Sequence, residues 1–364
     1  DEVNGPALPR SNLDSLRPAW NQFISDVRHL IRDVHVEGDG EVVWLGERSP
    51  GCRACQEGSW DCVFVTVRCN LSCPFCCNPH AISPDYAGSA FGSNPEQITD
   101  HYRRTHITGV SFSGGEPFLD APRLFAWIED FKARCPDKYY WVYTNGLLAS
   151  EANLRRLGEL GVDEIRFNAA ASGYDTPTLL RNMAAAARHI PSVTVEIPAI
   201  PEQAPQLLAS LGEWRALGVK FLNLHELMYE PETNAADMPG ERQTVITLDG
   251  HRTEIHPESR RLALTVMKKV KDEGLPLSVN FCSLQSKLRQ LRGRRRSLAP
   301  LTKAAHEKMV GDVVYETACA YRGETEFHFF HPDVIDAMRA RYPEHAFIRL
   351  ARTAPLSLTD PGQW

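Results

Sequence analysis

From residue 63 onward, short runs rich in β-branched and aromatic residues alternate with stretches whose apolar positions recur every three or four residues, as a parallel α/β architecture requires. The runs over residues 63–67, 109–113, 139–144, 164–168, 193–198 and 220–225 read as strands, with a candidate seventh over 277–282. Between them Leu124, Trp127, Ile128 and Phe131 form one helical stripe; Leu207, Leu211 and Trp214 form another, and Leu262, Val266 and Val270 a third. Six such units with right-handed crossovers build an open, partial (β/α)6 barrel, since closure takes eight. Ahead of it, residues 12–33 carry a helical pattern and 35–47 read as a hairpin around Gly38 to Gly40. The expected organisation is an N-terminal extension over 1–60, the barrel over 61–282 and a C-terminal extension over 283–364. That last part holds a basic segment, a helix over 333–341 and an irregular tail.

The chain has 364 residues, 43% of them hydrophobic, enough for one large core. A formal charge of -6 gives no overall basic field and argues against general nucleic-acid binding. No stretch reaches the roughly 20 apolar residues of a membrane span, and the first residues lack the basic-then-apolar order of a signal peptide. The expected location is therefore cytoplasmic. There are ten cysteines, and seven of them crowd between Cys52 and Cys77, a distribution that suits metal better than disulfides.

Cys69, Cys73 and Cys76 stand in CNLSCPFC, directly after the first strand, on the edge where α/β barrels assemble chemistry. Three thiolates so close together can hold three irons of a cubane and leave the fourth iron open. A structural zinc site usually takes four protein ligands in two knuckles, which Cys-x3-Cys-x2-Cys fits poorly. After the second strand comes VSFSGGEP, where Gly114 and Gly115 allow close backbone approach and Glu116 can accept hydrogen bonds from an ammonium.

The two motifs in this order resemble the signature of the radical S-adenosylmethionine (radical SAM) superfamily, most closely its activating-enzyme-like branch, over about residues 61–282. The resemblance implies an enzyme with a 4Fe-4S cluster on Cys69, Cys73 and Cys76 whose open iron chelates S-adenosyl-L-methionine. By the same resemblance Phe75 lies beside the adenine, and Gly114, Gly115, Glu116 and Pro117 lie along the methionine amino group. Thr144 and Asn145 then reach the ribose side, and Arg166 pairs with the methionine carboxylate through its planar fork. The implied reaction is reductive cleavage to a 5'-deoxyadenosyl radical that abstracts hydrogen from a small-molecule or peptide substrate. A flavodoxin- or ferredoxin-like reductant is the implied partner. Cys77 departs from the pattern, standing where proline is frequent.

Upstream, Cys52, Cys55 and Cys62 form Cys-x2-Cys-x6-Cys, which reads as a second site: an auxiliary 4Fe-4S cluster, a mononuclear zinc or iron knuckle, or free thiols. A fourth ligand would come from Cys282, Cys319 or Cys77. Such a cluster would serve sulfur insertion, substrate binding or electron relay. Methyl transfer stays open, although no cobalamin-domain signature is evident. Cys135 continues an apolar helical face and belongs to the core. Glu196, Asn223 and His225 reach the mouth only if their strand phase is right. Lys287, Arg289, Arg292, Arg294, Arg295 and Arg296 form either a solvated face or a clamp for an anionic substrate. The histidines show no metal spacing. The alternative from another class is a non-enzymatic iron-sulfur or zinc-binding scaffold or electron carrier, which would have no reason for GGEP or for a barrel.

Overall fold

A computed structural model describes residues 21, 25, 28–29, 32–37, 42–78, 83, 85–230, 233–246, 252–322, 327–344, 347–356 and 358; most of the helical pattern over 12–33 and the turn at Gly38 to Gly40 lie outside them. Seven parallel strands run in sequence order across one sheet: β3 (Trp60–Thr66), β4 (Gly109–Gly114), β5 (Tyr139–Thr144), β6 (Glu164–Phe167), β7 (Ser192–Ala199), β8 (Phe221–Glu226) and β12 (Ser278–Cys282). The open barrel therefore has the expected six units and the seventh strand. The hairpin of β1 (Val34–Glu37) and β2 (Val42–Leu45) pairs antiparallel with β12, so residues expected in a separate extension join the same sheet.

Strict alternation divides this sheet chemically. Val63, Val65, Val110, Phe112, Val142, Ile165, Val193 and Leu222 face outward into one apolar core. The helices supply its other half: α3 (Ala121–Arg134), for example, buries Leu124, Ile128 and Phe131, and Asp120 caps it by accepting from the Arg123 amide. Each such fully buried side chain contributes roughly 1.5–3 kcal/mol. Cys135 lies in this core, as its position on the stripe predicts. The inward positions are polar instead: Ser111, Tyr143, Glu164, Arg166, Thr194, Glu196, Asn223, His225, Asn280 and Cys282.

Two helices fill the inside of the curved sheet. Helix α1 (Pro50–Glu57) starts at the Ser49 cap and lies across the inner face, because Gly51 and Gly109 leave room: a Cβ on Gly51 would meet the Arg166 guanidinium at 2.2 Å, and one on Gly109 would meet Trp141 at 2.8 Å and Ala54 at 2.9 Å. Helix α8 (Leu284–Thr302) leaves the top of β12 and crosses α1 where Gly58 meets Gly293. Arg294, 8% exposed, ends the crossing at the opposite edge of the sheet, donating to the Trp60 carbonyl (3.0 Å) and pairing with Asp61.

The basic segment is thus mostly structural. Arg292 and Arg296 pair with Asp312, and Arg295 donates to Thr353 and the Ala354 carbonyl. Of the two readings left open for the segment, a solvated face or a clamp for an anionic substrate, the clamp does not hold for Arg294, Arg295 and Arg296, because α8 turns them away from the mouth toward the edge strand and the C-terminal sheet. The irregular tail is also corrected. Residues 308–353 contain an antiparallel sheet of β13 (Lys308–Met309), β14 (Val314–Arg322), β15 (Phe327–Phe330) and β16 (Phe347–Thr353), with α9 (Ile335–Arg341) between its last two strands. Charged residues on both sides of β14 and β16 dilute the alternation that would announce strands.

Candidate active site

The cysteine loop begins immediately after Thr66, the last residue of β3. The end of β4 presses against its root: the Gly115 amide donates to the Thr66 carbonyl (2.8 Å) and the Glu116 amide to the Arg68 carbonyl (2.9 Å). A Cβ at Gly114, whose φ is +120°, would sit 2.0 Å from the Thr66 oxygen, and one at Gly115 would sit 2.1 Å from the Arg68 oxygen. The paired glycines are therefore required first by the approach of the loop's own backbone. Asn78 fastens the far side of the loop through the Gly114 carbonyl (2.7 Å).

Glu116 is fully buried, and its carboxylate is spent inside the protein. It accepts from the Asn145 amide (2.7 Å), the Thr144 hydroxyl (2.9 and 3.1 Å) and the Phe118 amide (3.2 Å). Burial nevertheless pushes its pKa up, against those hydrogen bonds. Glu116 thus ties the end of β4 to the end of β5 and holds Thr144 and Asn145 at the mouth. Pro117 opens the short 3-10 turn that follows. Asn145 in turn reaches the cysteine loop, donating to Asn70 (2.7 Å) with its amide nitrogen 4.0 Å from the Cys69 sulfur.

These parts surround one cavity of about 970 Å³ at the C-terminal ends of the strands. Its wall includes Cys69, Cys73, Phe75, Cys76, Cys77, Gly114, Gly115, Thr144 and Asn145, and, from β7, β8 and the chain after them, Glu196, His225, Met228 and Lys287. The volume is at the upper end of small-molecule sites, so a nucleoside cofactor and part of a second molecule can share it. Tyr143, Asn168, Met228 and Arg68 also line it. They stand outside any motif, and only the inward phase of β5 could have pointed to Tyr143.

The described residues between 227 and 256, which follow β8, fold over the cysteine loop as a strap containing the three-stranded sheet β9 (Met228–Tyr229), β10 (Gln243–Ile246) and β11 (Arg252–Ile255). Phe75 is buried among Ile200, Leu227, Tyr229 and Met238 while still edging the cavity. Asn234, 1% exposed, donates to the Phe75 carbonyl (3.3 Å) and the Met228 carbonyl (2.9 Å).

Arg166 does not reach the cavity as a free fork. It is 1% exposed, bonded to Glu164 (2.9 Å), Glu196 (2.6 Å), the Tyr143 hydroxyl (3.2 Å) and Ser49 (3.1 Å). Its expected pairing with a cofactor carboxylate gives way to an internal role, because two buried carboxylates already hold the guanidinium. Of Glu196, Asn223 and His225, the first and last reach the cavity, with His225 Nε2 2.7 Å from Glu196, whereas Asn223 is buried behind them and donates to the same carboxylate (3.0 Å). Burial opposes the charge on His225, but Glu196 and Cys282 outweigh it and raise its pKa to about 9. Burial likewise opposes ionisation of Glu196, yet Arg166 and His225 hold its carboxyl far below the usual range.

Among the described residues no three Cys, His, Asp or Glu side chains converge as a site for a single ion. A cubane cluster makes a different demand, one thiolate for each of three irons, so its ligands must share a face and need not meet at a point. The loop thiols meet that demand: all three line the cavity, Cys69 and Cys76 both act electrically on Cys73, and the Cys76 amide closes a turn on the Cys73 carbonyl (3.0 Å). Burial and those neighbours raise the Cys73 pKa to about 11, a proton that iron would displace. The residues present fit the cluster.

The upstream cysteines are divided. Cys52 and Cys55 lie inside the barrel on α1, where burial pushes Cys52 up to about 12 and Cys55 well above the ordinary thiol range. Cys55 feels Cys52 and Cys282, whereas Cys62 sits on β3 between Ser111 and Ser113, raised to about 11 by burial. Cys319 belongs to β14 of the C-terminal sheet, paired with Phe330 and Arg349.

Residues 49–157 match the model of the 4Fe-4S single cluster domain. A protein of Methanocaldococcus jannaschii named as a candidate glycyl-radical enzyme activating enzyme is 28% identical over 272 residues, covering 72% of this chain and 70% of that protein. The PqqA peptide cyclase of Xanthomonas axonopodis pv. citri is 27% identical over 221 residues, covering 55% and 56%. The chain thus spans about half the length of that relative. The solved structure of Streptococcus suis SuiB bound to precursor peptide SuiA aligns with a TM-score of 0.45 and 12% identity over 74% of this chain and 61% of that one, too distant to add to the assignment. The cluster-domain match and these relatives support placing the chain in the radical SAM superfamily of enzymes.

Proposed function

We propose that Cys69, Cys73 and Cys76 hold a 4Fe-4S cluster and that the adjoining cavity binds S-adenosyl-L-methionine next to a small-molecule or peptide substrate. When bound, the pair supplies one-electron cleavage of the sulfonium, giving methionine and a 5'-deoxyadenosyl radical that can take hydrogen from a substrate. The chain's own part is to position and to shield. Phe75, fixed by the strap, offers an apolar edge for the nucleoside, and Gly114 and Gly115 offer main chain for the amino acid end. Glu116 and Pro117 act behind them by fixing the turn, and Thr144 and Asn145 present polar groups at the end of β5. Arg166 serves as a positioning residue for Glu196 and, through it, His225.

The observation that carries this reading is that the cysteine loop, the Gly114 to Pro117 turn and the Thr144 to Asn145 corner meet on one cavity at the C-terminal ends of the strands. A scaffold or electron carrier would have no use for such a space. A flavodoxin- or ferredoxin-like protein is the reductant this chemistry needs, and the reducing cytoplasm is the compartment that suits it; among the described residues no helix is long and apolar enough to cross a membrane. The relatives named as a peptide cyclase and an activating enzyme favour a peptide or protein chain among substrates. Of the three thiols expected to hold an auxiliary 4Fe-4S cluster, Cys52 and Cys55 lie together on α1 with Cys282 within electrical reach, and these would form its core; Cys62, held between Ser111 and Ser113 on β3, does not join them, and Cys319 lies on the C-terminal sheet.

Anaerobic reconstitution followed by iron and sulfide counting, with 5'-deoxyadenosine measured on reduction in the presence of S-adenosyl-L-methionine, tests the proposal. About four irons and four sulfides on the catalytic loop, with 5'-deoxyadenosine formed, is the expected result. A chain that binds zinc without sulfide and yields no 5'-deoxyadenosine would be the scaffold instead.

A further inference from the structure

The charged groups around the cavity are matched with one another almost everywhere. Arg166 is shared between Glu164 and Glu196, His225 rests on Glu196, and the buried Glu226 is paired with Arg260. Lys287 is the exception on the β7 to β12 side. It is half-buried in the first turn of α8, it lines the cavity, and among the described residues its ammonium makes neither an ion pair nor a hydrogen bond. It stands close enough to Cys77, His225 and Cys282 to act on all three electrically. The strap's Asp237 also faces the cavity, but outside ion-pair distance of Lys287. Arg292, Arg294, Arg295 and Arg296, further along the same helix, are engaged elsewhere, with Asp312, Asp61 and the C-terminal sheet.

An ammonium half withdrawn from water on a cavity wall is costly to leave uncompensated, and a ligand anion placed there gains a charge-assisted hydrogen bond. This cation reaches the cavity from a different element than the motif residues, although the field of its charge extends to Cys77 at the end of the cysteine loop. The motif residues cluster at the ends of β3, β4 and β5, whereas Lys287 follows β12. Arg68, the other cation on the wall, is exposed beside Cys69.

We infer that Lys287 anchors an anionic group of the substrate, a carboxylate or a phosphate, on the part of the cavity wall formed by β8, β12 and the start of α8. The inference rests on the functional reading above and deepens it. The anion fixes one end of the substrate at the β8 to β12 wall and leaves the remainder directed toward the cofactor. Lys287 makes no contact with reacting atoms; it is a specificity residue.

Competitive acylation of lysines in the reconstituted protein, read residue by residue in a mass spectrometer, tests this without knowledge of the substrate. The probes are succinate, inorganic phosphate and the neutral succinamide, each titrated with and without S-adenosyl-L-methionine. Lys220, exposed and bonded only to the Pro191 carbonyl, serves as the reference. Labelling of Lys287 should fall about tenfold at ten times the dissociation constant of one of the anions, with succinamide ineffective and Lys220 unchanged. Protection by succinate alone would identify a carboxylate, and by phosphate alone a phosphate. Absence of protection by either anion, equal protection by succinamide, or full protection by S-adenosyl-L-methionine alone would overturn the inference, the last by giving Lys287 to the cofactor. Failure of the functional reading would show separately, as absence of 5'-deoxyadenosine.

Discussion

On the β3 to β5 side of the cavity the shape of the wall is set by main chain: Gly114 and Gly115 lie against the root of the cysteine loop, and the one acid there, Glu116, faces inward to fasten Thr144 and Asn145. On the β7 to β12 side the wall is side chain: Glu196, His225 and Lys287 project from three elements, backed by Arg166 and Glu164 from a fourth. A main-chain wall can serve a ligand that never changes, because its shape is set by a few glycines and a tight turn. A side-chain wall can be rewritten one residue at a time, as a substrate pocket must be. The difference is the one the proposed function requires, with the cofactor on the first side and the substrate on the second.

The largest effect should come from emptying the first side. Replacing Cys69, Cys73 and Cys76 together with alanine is expected to reduce 5'-deoxyadenosine formation by at least about a thousandfold, since the metal loses its thiolates. The stability of the metal-free protein should change by less than about 1 kcal/mol, because Cys69 and Cys76 are exposed. Mass spectrometry of the product and urea denaturation measure the two quantities. Persistent cleavage would break the comparison by removing the cofactor from that wall.

The second side should respond in the opposite sense. Arg166→Met leaves the Glu164 and Glu196 carboxylates buried without their shared cation, and a stability loss of roughly 3–5 kcal/mol is expected in urea denaturation. Neutralising both acids in the same background, with Glu164→Gln and Glu196→Gln, should recover part of it. A loss under about 1 kcal/mol would mean that water reaches the network and that its order is not imposed by charge.

This contrast also explains what could be read from the chain. CNLSCPFC and GGEP are contiguous, so spacing alone placed Cys69, Cys73, Cys76, Gly114 and Gly115 on one edge of a barrel, and the strand order follows from the alternation of periods. The orientation of Glu116 could not be read, because an acid in a turn can face a ligand or its own backbone, and the Asn145 amide that captures it is 29 residues away. Arg166 could not be read either: its partners Ser49 and Glu196 come from another element and another strand. Nor could the fate of the arginines on α8, since Asp61 on the far edge strand is 233 residues from Arg294. Local chemistry is legible; the choice of a distant partner is not.

A smaller effect should appear on titration. The folded pKa of His225 is raised to about 9, above the unfolded value near 6.5, so its pairing with Glu196 stabilises fully below about pH 6.5 and is lost as pH rises through 9. On the order of 2–3 kcal/mol of stability should disappear across that window, and His225→Gln should flatten the curve there. Chemical denaturation at a series of pH values gives both profiles. Matching slopes in the two proteins would show that the histidine does not feel the carboxylate, and the second wall would then lack its organising ion pair.

The smallest expected effect lies where the strap meets the cysteine loop, and it sharpens the comparison by asking whether the main-chain wall stands by itself. Asn234 is buried, accepts from the Glu230 amide (2.8 Å) through its side-chain oxygen and donates to the carbonyls of Phe75 and Met228. Asn234→Ala removes these bonds, leaving polar main chain short of partners, at a cost of roughly 1–2 kcal/mol. Asn234→Asp keeps an acceptor for the Glu230 amide but sets a buried carboxylate oxygen against the carbonyls of Phe75 and Met228, so its loss of stability should exceed that of the alanine variant. If the strap fixes the loop, the reduced cluster in both variants should keep its iron count and show an altered electron paramagnetic resonance line shape, because Phe75 directly precedes Cys76. An unchanged spectrum with unchanged stability would mean that the loop holds its form through Asn78 and the Gly114 to Glu116 turn alone, and that the strap belongs wholly to the substrate side.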